Sequence, residues 1–121
     1  MKFIHIADVH LGAQPDAGTA YSKERPRELW DTLEKVLDVC EREQTDLLLI
    51  AGDLFHRQPL LRELKELDYL FSELSRTKVV LIAGNHDYIR RDSYYRTFQW
   101  SGNVIPLFGR GPEYVEFPEL R

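Results

Sequence analysis

The sequence contains almost no cysteine and no long apolar run. Cys40 is the single cysteine in 121 residues, so no disulfide can form within the chain, and this is typical of a reducing, cytoplasmic setting. No apolar run approaches the ~20 residues that a membrane-spanning helix needs. The first apolar residues give way to Asp8 too early for a secretory signal peptide. We therefore expect a cytoplasmic protein that has no membrane partner.

The chain also lacks an excess of positive charge. Its formal net charge is -4, which excludes a general electrostatic attraction to nucleic acid, so any DNA contact must come from a local patch. The hydrophobic fraction of 43% and the charged fraction of 30% are ordinary for a globular protein. The length corresponds to one domain or to part of one.

Three apolar runs alternate with two segments whose apolar residues recur at helical spacing. This order predicts a β-α-β-α-β unit with parallel strands and right-handed crossovers. A short helix capped by Asp92 or Ser93 and two C-terminal strands follow. The predicted strands cover residues 2–7, 47–51, 78–83, 104–108 and 114–117; the helical stripes are Leu29, Leu33, Val36, Leu37 and Cys40, then Leu60, Leu64, Leu67, Phe71 and Leu74.

Polar residues follow each of the first three strands directly, and in the third case Gly84 lets the chain turn at the strand's end. Parallel strands end at one edge of the sheet, where α/β proteins bind ligands. In an extended segment the side chains at positions 8 and 10 would lie on one side. Each short motif alone is most often a turn or a helix cap, but their joint placement favours a site. The residues expected to converge are Asp8, His10, Asp53, Asn85 and His86.

Aspartate oxygen and imidazole nitrogen suit divalent manganese, iron or zinc. Asp53 could bridge two ions, and Asn85 could bind the second. Two ions about 3.5–4 Å apart can activate water and neutralise phosphoryl oxygens. His86 could protonate the leaving oxygen, with Asp87 orienting its ring. This set predicts a phosphoester hydrolase.

The same residues resemble the first three motifs of the calcineurin-like metallophosphoesterases. Two further stretches resemble the DNA-repair exonuclease branch of that superfamily, which contains the nuclease subunit of the SbcCD complex and YhaO-like exonucleases. The three motifs are Asp8-Val9-His10, Gly52-Asp53 and Gly84-Asn85-His86-Asp87, and the two stretches are residues 3–12 and 51–56.

This resemblance implies a four-layer α/β/β/α sandwich with two divalent ions, manganese foremost, or else iron, zinc or magnesium. Asp8 and His10 would bind the first ion, Asp53 would bridge, and Asn85 would bind the second. His56 would face the active site and support exonuclease action. The resemblance also implies a DNA substrate, a homodimer and an SMC-like ATPase partner.

The chain departs from the family pattern at its later motifs. The family's site is completed by a later histidine and a final Gly-His-x-His motif, but none of the four histidines lies after His86. The second sheet of the sandwich is largely missing as well. We therefore expect residues 1–121 to be a single, truncated metallophosphoesterase domain, the N-terminal half of the sandwich. The alternative is a short chain that completes its core by self-association. A half-sandwich on its own would leave an exposed apolar face and an open strand edge.

Arginine and aromatic residues are interleaved between positions 88 and 100. Arg90 and Arg91 could bind the DNA backbone, and Tyr94 could stack on a base; the alternative is a surface helix whose aromatic rings face the core.

Two other functions remain open: a protein phosphatase, phosphomonoesterase or cyclic-nucleotide phosphodiesterase with the same motifs, or a catalytically incomplete binding or assembly module.

Overall fold

A computed structural model describes residues 1–13, 25–84, 93–109 and 112–120 of the chain. The strands and helices alternate as predicted for the first five elements. The elements are β1 (Phe3–Ile6), α1 (Arg25–Arg42), β2 (Leu47–Ala51), α2 (Leu61–Ser72), β3 (Lys78–Ile82), α3 (Tyr94–Thr97) and β4 (Val104–Pro106). Within the described ranges, no helix combines the length and the apolar character that crossing a bilayer requires.

The four strands form one parallel sheet in the order β1-β2-β3-β4. The predicted α/β class with a parallel core is therefore confirmed, and it is consistent with the N-terminal part of the sandwich that the resemblance implies. Because all strands run the same way, the chain leaves each of them at the same edge. Of the polar residues singled out above, that edge carries Asp8, His10 and Asp53.

Both long helices pack on one face of the sheet. Most residues of their predicted apolar stripes are buried or half-buried there, and Leu33, Leu64 and Phe71 are almost completely inaccessible to solvent. Leu60 is the exception, because it precedes α2 and is 39% exposed. Full burial of such a side chain contributes about 1.5–3 kcal/mol. The strand residues that point to this face form two rows across the four paired strands, so the core extends unbroken from β1 to β4. These residues are Ile4, Leu48, Val79 and Val104 in one row, and Ile6, Ile50, Leu81 and Pro106 in the next.

The opposite face of the sheet is apolar and largely open. Phe3 is 57% exposed and Ile82 is 43% exposed. Between them lies a row of residues that are at most half-buried: His5, Leu49, Val80 and Ile105. This face has the apolar character expected of a surface that a second layer would cover.

The predicted strand at residues 114–117 is wrong, because the described segment 112–120 has no regular structure. Tyr114 is 84% exposed. The segment is tied to the start of β3 by side chains instead of by a backbone ladder: Lys78 Nζ lies 2.9 Å from Glu119 Oε1 and 5.5 Å from the centre of the Phe117 ring. A strand needs a neighbouring backbone to pair with, and side-chain anchoring at its end does not provide one.

Candidate metal centre

Three of the predicted ligands meet at the carboxyl ends of β1 and β2. Asp8, His10 and Asp53 offer ligand atoms that all lie within 4.8 Å of one another. His10 Nε2 is 4.0 Å from Asp8 Oδ1. Asp53 is buried, whereas the side chain of Asp8 is 69% exposed. The site therefore combines one buried carboxylate with one that is open to solvent.

All three of these residues adopt a left-handed backbone conformation. The φ angles are 56° at Asp8, 56° at His10 and 50° at Asp53. Left-handed φ costs an L-residue roughly 1–2 kcal/mol, and such strain concentrates at functional sites. Among the described non-glycine residues, only Gln44 shares it, and Gln44 lies just after the end of α1, where a left-handed residue is ordinary.

This geometry corrects the predicted reason for the convergence of Asp8 and His10. The segment is not extended, so simple alternation of side chains does not bring them together. Positive φ at both residues turns the backbone so that the two side chains approach each other beside Asp53. The pattern of apolar and polar residues contains no sign of these turns.

Backbone hydrogen bonds continue the pairing of β1 and β2 into the loops that carry the ligands. Four such bonds fix the two loops against each other, which holds the ligands at a set spacing. The bonds run from Asp8 N to Gly52 O (3.2 Å), His10 N to Asp53 O (2.9 Å), Leu11 N to Leu54 O (2.8 Å) and His56 N to Leu11 O (2.8 Å).

Buried apolar residues that were not predicted from the sequence anchor both loops. Leu11, Leu54 and Phe55 are fully buried. The Phe55 ring lies 6.0 Å from that of Tyr95 and 6.4 Å from that of Trp30, centre to centre. Each anchor adjoins a site residue in the chain. An apolar residue directly beside each polar motif was the signal that could have found them.

Gly84 leaves room for the base of the site. A Cβ atom at this position would lie 2.5 Å from the backbone nitrogen of Asp53 and against its carboxylate. The positive-φ glycines of the described chain are Gly12 and Gly52. Gly84 is therefore required for close approach to Asp53, and not for the sharp turn that the sequence suggested.

His56 lies beside His10 at the rim of the site. Their Nδ1 atoms are 3.3 Å apart, and the ring centres are 5.4 Å apart at an interplanar angle of 63°. A hydrogen bond between two such nitrogens requires that one carries a proton and the other accepts it. The contact engages Nδ1 of His10, so its other ring nitrogen, Nε2, is the one that lies on the side of Asp8.

The donor set fits a divalent metal ion. Two ligand atoms of one ion lie at most about 4.4 Å apart, because metal–oxygen and metal–nitrogen distances are about 2.0–2.2 Å. The observed upper limit of 4.8 Å needs only a small side-chain rotation to reach this spacing. Two carboxylates this close repel each other, and a cation between them removes the repulsion. Two carboxylates and one imidazole suit manganese, iron(II) or zinc, and do not distinguish among them.

Several predicted site residues lie outside the described part of the chain: Asn85, His86, Asp87, Arg90 and Arg91. Gly84 directly precedes this segment and lies against Asp53. The strand that leads into the third motif therefore ends next to the other two motifs.

The described residues after this segment divide between the surface and the core. Ser93 caps α3 by accepting the backbone N–H of Tyr95 at 3.3 Å, as predicted for Asp92 or Ser93. Tyr95 is buried, and Phe98 and Trp100 pack against the core. Tyr94 is 47% exposed, so it alone among these aromatic residues presents a large open surface. The core-facing alternative thus describes most of these rings, and base stacking by Tyr94 stays a prediction.

Comparison with known proteins places the chain in a family. A family profile described as "Calcineurin-like phosphoesterase" matches residues 1–118. The chain is 36% identical over 89 residues to the DNA double-strand break repair protein Mre11 of Aeropyrum pernix, a match that covers 71% of this chain and 21% of that protein. It is 34% identical over 91 residues to SbcD of the Bacillus subtilis nuclease SbcCD, covering 72% of this chain and 22% of that protein.

A third relative aligns with nearly the whole chain. The chain is 31% identical to the uncharacterized metallophosphoesterase YhaO of Bacillus subtilis, over 97% of this chain and 30% of that protein. The chain thus spans less than a third of the length of these curated relatives.

Proposed function

Because the chain belongs to the calcineurin-like phosphoesterases, a family of metal-dependent phosphoester hydrolases, we propose that it forms the N-terminal, metal-binding part of a DNA phosphodiesterase, an exonuclease of the DNA-repair type. The observation that carries the proposal is the group of three left-handed residues, Asp8, His10 and Asp53, whose ligand atoms converge at one sheet edge. Backbone strain gathered at such a cluster is expected of a functional site. Similarity to a DNA break repair protein and to a component of a nuclease, each so named, supports DNA as the substrate.

Four residues would hold the two metal ions. Asp8 and His10 would hold one ion, and Asp53 would bridge to a second, which Asn85 would bind. When bound, the ions supply Lewis acidity, which activates water and neutralises charge on the phosphoryl oxygens. We take manganese as the native metal, on the resemblance alone.

The chain's own side chains would move the proton. Water would release a proton to the solvent and attack phosphorus, the bond to the leaving oxygen would break, and His86 would give its own proton to that oxygen. Asp87 would orient the His86 ring. His56, in contact with His10 at the rim, would hold the His10 ring in its metal-binding orientation while facing the substrate.

The assembly we propose follows from the resemblance as well. The complete protein would be a cytoplasmic homodimer that works with an SMC-like ATPase partner. Its remaining ligands and the layer that covers the open sheet face would come from outside residues 1–121. Within this chain, we propose that Arg90, Arg91 and Tyr94 contact DNA.

The test compares DNA with a phosphomonoester. The complete natural protein is supplied with manganese and with either end-labelled linear DNA or p-nitrophenyl phosphate. We expect release of nucleotides from DNA and much slower hydrolysis of the monoester. Asp53→Asn should lower the DNA rate by about 100-fold or more, whereas Asp38→Asn, at an exposed position of α1, should not. Faster hydrolysis of the monoester would favour a phosphatase, and no metal-dependent hydrolysis of either compound would favour a binding or assembly module.

A further inference from the structure

Arg57 lies at the rim of the candidate metal centre. It follows His56 directly, and its guanidinium rests against the loop that carries His10. A Cβ atom added to Gly12, two residues after His10, would lie 3.5 Å from Cζ, Nε and Nη2 of Arg57. Gly12 has a φ of 87°, a conformation that favours glycine, so the guanidinium occupies space that a side chain would otherwise fill.

Glu63 fixes the orientation of this guanidinium. Arg57 Nη1 lies 2.8 Å from Glu63 Oε1, and Nη2 lies 3.1 Å from Oε2. The Glu63 side chain is only 12% exposed, and its Oε1 also accepts the backbone N–H of Leu60 at 2.8 Å at the start of α2. The carboxylate is thus tied to the helix, and the paired arginine is pre-organised.

The guanidinium retains donors for a further partner. It has five N–H groups, and its contacts within the described chain engage three of them: two with Glu63 and one, from Nη1, with the carbonyl oxygen of Gln58 at 3.1 Å. The two others, on Nε and Nη2, point in parallel along one edge of the planar group. That arrangement matches two oxygens of a phosphate. The Arg57 side chain is 47% exposed, so an anion can reach it.

We propose that Arg57 is a substrate-binding residue that holds a phosphate of the nucleic-acid chain next to the phosphate being hydrolysed. The proposal rests on the proposed function and names a determinant of its substrate class. A polynucleotide carries a phosphate at every nucleotide, whereas a small phosphoester has only the reacting one. The carboxylates of Asp8 and Asp53 repel a polyanion, and a fixed cation beside them offsets that repulsion. Arg57 therefore favours a chain substrate over a small one.

The test uses Arg57→Gln in the complete natural protein, with Arg62→Gln as the matched control. Arg62 is an exposed arginine of α2. The first readout is binding of a fluorescent oligonucleotide in the presence of a metal chelator. The second is kcat/KM with manganese, for the oligonucleotide and for bis(p-nitrophenyl) phosphate. Loss of a charge-assisted phosphate contact should lower oligonucleotide binding and kcat/KM by about tenfold, while kcat/KM for the small diester and both values for the control stay unchanged.

A second variant, Arg57→Lys, retains the charge but loses the two parallel donors, so we expect it to recover little of the loss. Full recovery would contradict recognition by the guanidinium edge. An equal loss of kcat/KM for the oligonucleotide and for the small diester would show that Arg57 is a structural residue of the loop. Unchanged oligonucleotide binding would show that Arg57 does not contact the substrate. Each of these results would overturn the proposal. Failure of the proposed function would look different: the unsubstituted protein would hydrolyse neither compound, while the binding measurement would still decide the role of Arg57.

Discussion

Gly84 provides a test of the candidate site that leaves every ligand in place. Replacement by alanine would put a Cβ atom 2.5 Å from Asp53 N, where ordinary contacts begin at 3.4 Å. The nearest atoms include backbone, so a side-chain rotation cannot relieve the clash. Asp53 must therefore move by roughly 1 Å, and displacements of that size in a site cost on the order of 100-fold in activity.

We expect Gly84→Ala to weaken manganese binding by about 10–100-fold, measured by titration calorimetry on the natural protein. Overpacking at this position should also lower the free energy of unfolding by about 1–3 kcal/mol. Gly102→Ala is the matched control, because a Cβ atom at Gly102 has no neighbour within 4 Å. Circular dichroism should show that both variants are folded.

Unchanged manganese affinity in folded Gly84→Ala would refute the reasoning. It would mean either that Asp53 is not a metal ligand or that the loop after β3, which contains Gly84, does not lie against Asp53 in solution. A similar loss of affinity in Gly102→Ala would also count against the account, since it would show that the effect is not specific to the site.

Three further predictions concern the fold that supports the site. The backbone N–H of Lys2 (2.9 Å) and the guanidinium of Arg76 (2.7 Å) hold the pKa of Asp46 below its usual value. The contribution of the ionised Asp46 carboxylate to stability is therefore complete above about pH 4, and it is lost as the pH falls through the lowered pKa. Asp46→Asn should therefore lower the melting temperature at pH 7 and by less near pH 3, and an equal drop at both values would contradict this. Phe71→Ala should lower the free energy of unfolding by about 3–5 kcal/mol in urea titrations, because the ring is fully buried; a loss below about 1 kcal/mol would show that it is not in the core. Burial raises the pKa of the Cys40 thiol, so a thiol reagent should modify it only on unfolding, and rapid labelling of the folded protein would count against the packing of α1.

Apolar periodicity was sufficient to predict the main elements. The runs that became β2 and β3 are continuous because parallel strands are buried, and the stripes of α1 and α2 recur at helical spacing because one face of each helix meets the sheet. The short C-terminal elements were harder. The segment at 114–117 has strand-forming residues, but whether a strand forms depends on a partner that local composition does not reveal.

The site was predictable in residue type but not in conformation. Motifs at the ends of parallel strands indicated that Asp8, His10 and Asp53 would converge, and the structure brings them together. Aspartate and histidine adopt left-handed φ more often than most residues do, but residue type alone does not mark where such a turn occurs. The turns at these residues depend on long-range backbone bonds such as that from His10 N to Asp53 O. The pairing of Arg57 with Glu63 also depends on where α2 begins, which a sequence pattern predicts only to within a few residues.

The central claim is that the sheet edge at Asp8, His10 and Asp53 is a metal centre, and a manganese titration by calorimetry tests it most directly. The protein, Asp53→Ala and the control Asp38→Ala would be titrated under the same conditions. The account predicts saturable manganese binding by the protein and the control, and loss of that binding in Asp53→Ala. Equal binding by all three would show that manganese is held elsewhere, and would contradict the assignment of this edge as the metal centre.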